Sequence, residues 1–396
     1  MLPDDRQPVI IAALRTPICR ANGVLKTVRA HELLAPVLRR LLSDTGVAPD
    51  MAADVVIGNA VGGGGNVARL AALDAGLPVS VPGLTVDRQC GSGLDAIVLA
   101  SRLVAAGGGG VYLAGGGESI STAPLRAHRS RDGGAPEFFA RAQFAPVRYG
   151  DPDMGVAAEN VAAHFGVSRD RQDAVALRSH QRALASAAAG FFDAEIVALP
   201  GGSGGPDGAI TAGSDDGPRR GLTAAVLARF PPAFAAGGTV TAGNSCFDAD
   251  GAAAVVITSV KRARELGAGD GLLVRGTETA GVAPQLLGIG AAVAAERLLE
   301  RSGVTAPELG LVEFNEAFAS QTIACLDQLG IAPERANLDG GALALGHAYG
   351  ASGAVLVTRL LAQARRSPVE GQLALALISI AGGMGTAALL EYRRLS

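Results

Sequence analysis

Short, wholly apolar runs recur along this chain, each bordered by glycine or a turn residue and each separated from the next by an alanine-rich stretch of helical period. PVIIAAL, ADVVIGNA, GVYLAGG, AAAVVITS, LGLVEFN and LALALISIAGG are the main ones. They are too short for ordinary helices, and they lack the in-out alternation of a sheet with one wet face. Runs of this kind read as strands buried on both faces. Strands covered by intervening helices make an α/β architecture. The 55 glycines show no collagen-like period and punctuate the elements.

The order of elements occurs twice. A strand (VVIGN), a turn (QCGSG), a helix (LDAIVLASRLVAAG) and a strand (GVYLAGGGES) are echoed by LVEFNEA, YGASG, AVLVTRLLAQA and LALALISIAGGMG. This pattern predicts a duplicated unit with a pseudo-two-fold relation. We divide the chain into an N-terminal half (1–118 and 248–269), a C-terminal half (270–396) and an insertion (119–247). The insertion opens on the irregular, polar RAHRSRDGGAPEFFARAQFAP, continues with two helix-like stretches, and holds the loop-like GGSGGPDGAITAGSDDGPRR. Loops of such length inside a compact protein usually cover or bind something.

Composition removes several classes of function. Hydrophobic residues make up 48% and charged ones 18%, enough apolar surface to offset chain entropy. The formal net charge is −3 and no like-charge run appears, so neither nucleic acid nor an acidic membrane surface is an expected partner. No apolar stretch approaches the length needed to cross a bilayer. The opening MLPDDRQPVIIAALRTP puts acidic residues before the first apolar run and offers no small-residue cleavage site. A soluble, cytoplasmic protein without a secretory signal is therefore expected. Cys19, Cys90, Cys246 and Cys325 form no C-x-x-C pair and no zinc-like spacing with histidine, so free thiols and no metal are expected.

Four residues carry the candidate chemistry. Cys90 follows a strand-like run and precedes Gly-Ser-Gly and an amphipathic helix. A residue on such a strand-turn-helix corner projects at a helix N-terminus, where unpaired N–H groups and the dipole favour a thiolate. The same N–H groups can stabilise the oxyanion formed when a thioester carbonyl is attacked. His347 occupies the equivalent turn of the second half, so the pseudo-symmetry brings it towards Cys90. There it can activate the thiol or stabilise charge on a substrate carbonyl. Asn315 and Glu316 sit where an apolar strand ends, the place at which parallel α/β sheets collect ligand-binding groups.

Taken together, RTPICRANGVLKTVRAHELL, VDRQCGSGLDAI, GGGESIS, GGTVTAGNSCFDADGAAA, VEFNEAFA and GGALALGHAYGASG resemble the motifs of the thiolase family, in the family's order and over nearly the whole chain. The resemblance implies a five-layered αβαβα fold of two similar halves plus an inserted loop domain, assembled as a homodimer or homotetramer. It implies an acyl-CoA substrate, no covalently bound cofactor, and a role in lipid metabolism. Cys90 matches the acylated nucleophile. Asn315, through a held water, and His347 match one oxyanion hole, and the backbone N–H groups of Cys90 and Ala381 match a second. Coenzyme A would lie over the loop domain, with Asp153, Met154, Arg219, Phe234, Ala242, Cys246 and Phe318 at the matching positions.

The pattern breaks at one catalytic position. Thiolases carry a second cysteine that takes a proton from the second acyl-thioester, and the matching segment here is SIAGGMG, with Ser379 in its place. A thiol titrates near 8.5 and an aliphatic hydroxyl roughly like water, so an unaided serine base would be about 10 kcal/mol worse. Either another group removes the proton, with Asp153 or His347 as first candidates, or the acyl group passes to an amine, alcohol or water. Alternatively, the serine stands in for a native cysteine, or the chain only binds acyl-CoA or lipid without catalysis. Asp153, Cys246 and Ala348-Tyr349 also depart from the usual pattern, which points to a retuned pocket.

Overall fold

A computed structural model describes residues 2–199 and 212–395. Residues 201–211 of the loop-like segment lie outside the described residues. The first half contains β1 (Pro8–Arg15), β2 (Cys19–Arg20), α1 (Ala30–Thr45), β3 (Ala52–Gly58), α2 (Val67–Asp74), β4 (Gly83–Val86), α3 (Ser92–Ala105) and β5 (Val111–Glu118). The excursion that follows carries β6 (Arg126–His128), β7 (Glu137–Phe139), α4 (Met154–Phe165), α5 (Arg169–Ala188) and the short α6 (Ala224–Leu227). The chain returns to the sheet as β8 (Ala249–Ser259) and α7 (Val260–Glu265). The second half runs β9 (Asp270–Gly281), α8 (Gly290–Ser302), β10 (Leu309–Phe314), α9 (Ala319–Gln328), α10 (Ala342–Leu345), α11 (Tyr349–Arg366), β11 (Leu373–Ile380) and β12 (Met384–Arg394). Among the described residues no helix is long and apolar enough to cross a membrane.

The duplication is visible in the strand pairing. The first half is ordered β4-β3-β5-β8-β1 and the second β10-β11-β12-β9. In each, two parallel strands are followed by two antiparallel ones: β3 with β5, then β8 and β1; β10 with β11, then β12 and β9. The two halves join edge to edge through the pairs Val9↔Leu273 and Ile10↔Leu272. The sheet is therefore mixed, a direction of pairing that apolar periodicity, which reports burial, does not record. A short hairpin, β6 with β7, was also invisible in the sequence. Three-residue strands are too short to show a period.

Strand alternation sorts the core into layers. Val55, Ile57, Leu113, Ala254 and Val256 face one way and pack with α1 and α2. Their neighbours Val56, Ala114, Val255 and Ile257 face the opposite way, onto α3 and α11. In the second half Ala374, Ala376 and Ile378 face that same central pair, while Leu375 and Leu377 pack with α8 and α9. The result is α1/α2, sheet, α3/α11, sheet, α8/α9: the five-layered αβαβα fold.

Glycine lets the two central helices approach each other. A Cβ on Gly93 would lie 2.5 Å from the Gly350 carbonyl oxygen, and one on Gly353 would lie 2.5 Å from the Leu94 nitrogen. Backbone therefore touches backbone at the helix starts, and the turns holding Cys90 and His347 are carried to one place. The excursion is anchored separately, by a buried ionic cluster. Arg15 of β1 pairs with Glu195 and Asp215, and Arg359 of α11 reaches Glu195 and Asp339. Both guanidinium groups lie over the Phe192 ring, at 5.3 and 4.6 Å.

Candidate active site

The nucleophile turn is a strained corner. Gln89 has φ 46°, a left-handed conformation rare for a residue with a side chain. Ser92 holds the corner: its Oγ accepts from the Arg88 N–H at 2.8 Å and donates to the Gln89 carbonyl at 2.6 Å. Gly91 completes it, since a Cβ there would sit 2.4 Å from Ile380 Cδ1. That contact presses the turn between β11 and β12 against Cys90. The backbone N–H groups of Ala381 and of Cys90 itself accordingly approach the sulfur.

Cys90 is half-buried. Its thiol is raised to about 11: dehydration is the largest cause, opposed by the two N–H groups and reinforced by the charges of Glu118 and Asp248. The expected dipole-stabilised thiolate is thus corrected: burial outweighs the helix terminus and keeps the thiol protonated at neutral pH.

His347 lies between α10 and α11, held by backbone pairing with the strand that leads into β8. Its N–H donates to the Phe247 carbonyl at 2.9 Å and its carbonyl accepts from the Ala249 N–H at 3.3 Å. The ring is buried, with Nδ1 2.6 Å from Ser352 Oγ and Nε2 without a partner among the described residues. Burial lowers its pKa to about 4, so it is neutral. In the tautomer in which the Ser352 hydroxyl donates to Nδ1, the ring proton is on Nε2.

Asn315 follows β10, its N–H bonded to the Leu377 carbonyl at 3.1 Å, and its buried Nδ2 also has no partner among the described residues. Unpaired buried donors are costly and rare. Two of the expected side chains each carry one such atom. Glu316 points elsewhere, accepting from Ser179 Oγ at 2.6 Å, Asn337 Nδ2 at 2.7 Å and the Leu343 N–H.

Ser379 is buried, and its hydroxyl is engaged by backbone on both sides. It donates to the Gly288 carbonyl at 2.6 Å and accepts from the Ala291 N–H, in the first turn of α8, at 3.1 Å. Asp153 disappoints the expectation of a replacement base. Its side chain is 76% exposed and pairs with Arg141 at 3.1 Å, which turns the carboxylate to solvent.

The expected coenzyme positions divide into two groups. Phe234 and Phe318 meet edge to face at 6.0 Å, and Phe234 lies against Gly155, next to Met154. Cys246 adjoins them through its N–H to the Ala317 carbonyl at 2.9 Å, and Ala242 is exposed nearby in sequence. Arg219 stands apart: it is exposed, and its N–H is bonded to His180 Nδ1 at 3.2 Å. The charge of Arg219 reaches Arg20, whose guanidinium lies 3.9 Å over the Phe247 ring.

Two features escaped the sequence reading. Glu118, at the end of β5, is fully buried and accepts from Asn59 Nδ2, the Ala60 N–H and the Gly350 N–H at 2.7, 2.8 and 3.0 Å. It ties the start of α11 to the end of β3, and burial raises its pKa to about 7. A lone acid closing the apolar run GVYLAGGGE was its only signal. The second feature is the Asp248 carboxylate with the Tyr349 hydroxyl, 2.5 Å apart, beside His347.

Known proteins resemble this chain over both of its halves. Residues 8–261 match the model of the thiolase N-terminal domain and residues 272–392 that of the thiolase C-terminal domain. A Bacillus subtilis (strain 168) protein provisionally named acetyl-CoA C-acetyltransferase YhfS is 44% identical over 97% of this chain and 98% of its own length. The similarly named VraB of Staphylococcus aureus (strain MRSA252) is 42% identical over 97% and 98%. The crystal structure of the Bacillus anthracis acetyl-CoA acetyltransferase superposes with a TM-score of 0.92 at 35% identity, covering 98% of this chain and 99% of that one. With both of its halves matched and its layers reproduced, the chain belongs to the thiolase family.

Proposed function

We propose that this protein is an acyl-CoA acyltransferase that forms or cleaves a β-ketoacyl thioester through an acyl-Cys90 intermediate. The observation that carries the proposal is that, among the described residues, buried Asn315 Nδ2 and His347 Nε2 have no partner, while the half-buried Cys90 sulfur faces two backbone N–H groups. An acyl-CoA carbonyl placed over Cys90 is attacked by Sγ, and the oxyanion that forms is stabilised by the N–H groups of Cys90 and Ala381. Coenzyme A leaves with the thiol proton. A second thioester then binds with its carbonyl oxygen at His347 Nε2 and at a water held by Asn315, where its enolate is stabilised. Ping-pong kinetics follow.

In this reading the 119–247 excursion covers the coenzyme. Met154, Phe234, Phe318, Ala242 and Cys246 flank the pantetheine arm, and Arg219 lies towards a phosphate. The assembly is a homodimer or homotetramer, cytoplasmic, serving lipid metabolism. Intact mass after incubation with acetyl-CoA should show an acetyl adduct, absent in Cys90→Ala. Acetoacetyl-CoA with free coenzyme A should yield acetyl-CoA. An unmodified parent with every acyl chain length would overturn the reading.

A further inference from the structure

The carbon-carbon step needs a group to accept a proton from the α-carbon of the second thioester, and Ser379 offers its hydroxyl to backbone on both sides. The remaining acids near Cys90 differ in how far they are committed. Glu118 accepts four donors, from Asn59, Ala60, Val61 and Gly350, and Glu316 accepts three; both are buried. Asp248 is exposed and, among the described residues, its carboxylate accepts one hydrogen bond, from Tyr349 on Oδ1. Its Oδ2 is free.

The fold puts this carboxylate at the reacting centre. Asp248 lies on the short extended segment that pairs with His347, between the Phe247 carbonyl and the Ala249 N–H that bind the His347 backbone. The Tyr349 ring packs edge-on against the His347 ring at 5.1 Å and turns its hydroxyl to Asp248. Cys246 is two residues before Asp248, so extended backbone sends both side chains to the same side. The negative charge of Asp248 is felt by Cys90, Cys246 and Tyr349 alike.

We propose that Asp248, oriented by the Tyr349 hydroxyl, is the proton acceptor of the condensation step, in the role that the missing second cysteine performs elsewhere in the family. This rests on the acyl-Cys90 reading above. The α-proton of the second acyl-CoA passes to Oδ2, and the C–H electron pair becomes the enolate, whose oxygen lies at His347 Nε2. The enolate carbon attacks the acyl-Cys90 carbonyl, a carbon-carbon bond forms, and the C–Sγ bond breaks. The Cys90 thiolate then takes the proton that Asp248 carries. Thiolysis runs the same steps backwards. The Cys246 thiol, by contrast, is raised by burial above its ordinary range, which disfavours it as the proton acceptor. Carboxylates do remove protons α to a carbonyl when an oxyanion hole holds the enolate.

The test is Asp248→Asn, which is isosteric and keeps an acceptor for Tyr349. It is read by adduct mass, by deuterium exchange into the acetyl-CoA methyl group in heavy water, and by acetoacetyl-CoA thiolysis. The adduct should still form, while exchange and thiolysis fall at least about 100-fold; Asp248→Glu should recover part of both. Exchange and thiolysis within fivefold of the parent overturn the assignment. So does loss of the adduct together with turnover, which would mean a structural role. Loss of exchange in Cys246→Ser but not in Asp248→Asn gives the step to the thiol instead. A parent that never forms the adduct sinks the acyl-Cys90 reading, and this assignment with it.

Discussion

Replacing Gly93 by alanine sets two effects of opposite sign against each other. Gly93 is inside α3, with an ordinary helical φ, so propensity alone makes Gly93→Ala stabilising by about 1 kcal/mol. The added Cβ, however, would sit 2.5 Å from the Gly350 carbonyl oxygen and 3.1 Å from the Ala354 nitrogen. Both obstacles are α11 backbone, with no flexible tip to swing aside. Ordinary contact requires the helices to part by roughly 0.9 Å, and overpacking of this kind typically costs about 1–3 kcal/mol. The larger consequence is functional. Cys90 precedes α3 by two residues and His347 precedes α11 by two, so a shift of about 1 Å separates the sulfur from the imidazole, a displacement that can cost about 100-fold in rate. Urea denaturation and the rate of acetoacetyl-CoA thiolysis, which needs both Cys90 and His347, measure the two effects. A Gly93→Ala protein that is more stable than the parent and turns over at the parent rate would refute the close crossing of the central helices.

The buried acids and histidines give a pH dependence of known sign. His347 and His180 are both lowered to about 4 by burial, so below pH 6.5 the unfolded chain binds protons that the native one refuses. Each removes about 1.4 kcal/mol per unit as pH falls from 6.5 to 4, and His180→Gln should flatten the acid limb of a stability titration. Glu118, raised to about 7, acts oppositely: the native state holds its proton, and stability is lost as pH rises from 4.5 to 7. Glu118→Gln should therefore gain on the parent across that window in pH-dependent denaturation. Arg15→Met leaves Glu195 and Asp215 short of a buried partner and should cost about 3–5 kcal/mol by urea titration. Ser379→Ala leaves the Ala291 N–H unpaired and should lose about 1–3 kcal/mol, while Ser379→Cys should change thiolysis by less than about tenfold. A gain of several hundredfold would show that the parent is limited by a poor base at that position.

Much of this molecule was legible as local pattern. The double-sided strands, the alternating helices and the repeat of strand, turn, helix and strand are all written in periods of two to four residues. The corner at Cys90 could be read because glycine follows it and an amphipathic helix begins there. His347 became a candidate only through the repeat, which is itself a sequence property. Such signals survive without a tertiary structure because they reflect backbone torsion and one-sided burial, both set by near neighbours.

What the tertiary structure alone decided is pairing and dehydration. The direction of β8 and β12 depends on where long connections re-enter the sheet, which no periodicity records. Asp153, with no burial to hold it, turned to Arg141, whereas Asp248 met a tyrosine 101 residues away. Glu118 found its donors at Asn59 and Gly350, on opposite sides of it in the chain. The Cys90 thiol is protonated because surrounding side chains exclude water more strongly than two N–H groups attract charge. A residue type limits which proton a side chain can carry; the distant segments that fold around it determine whether it carries that proton.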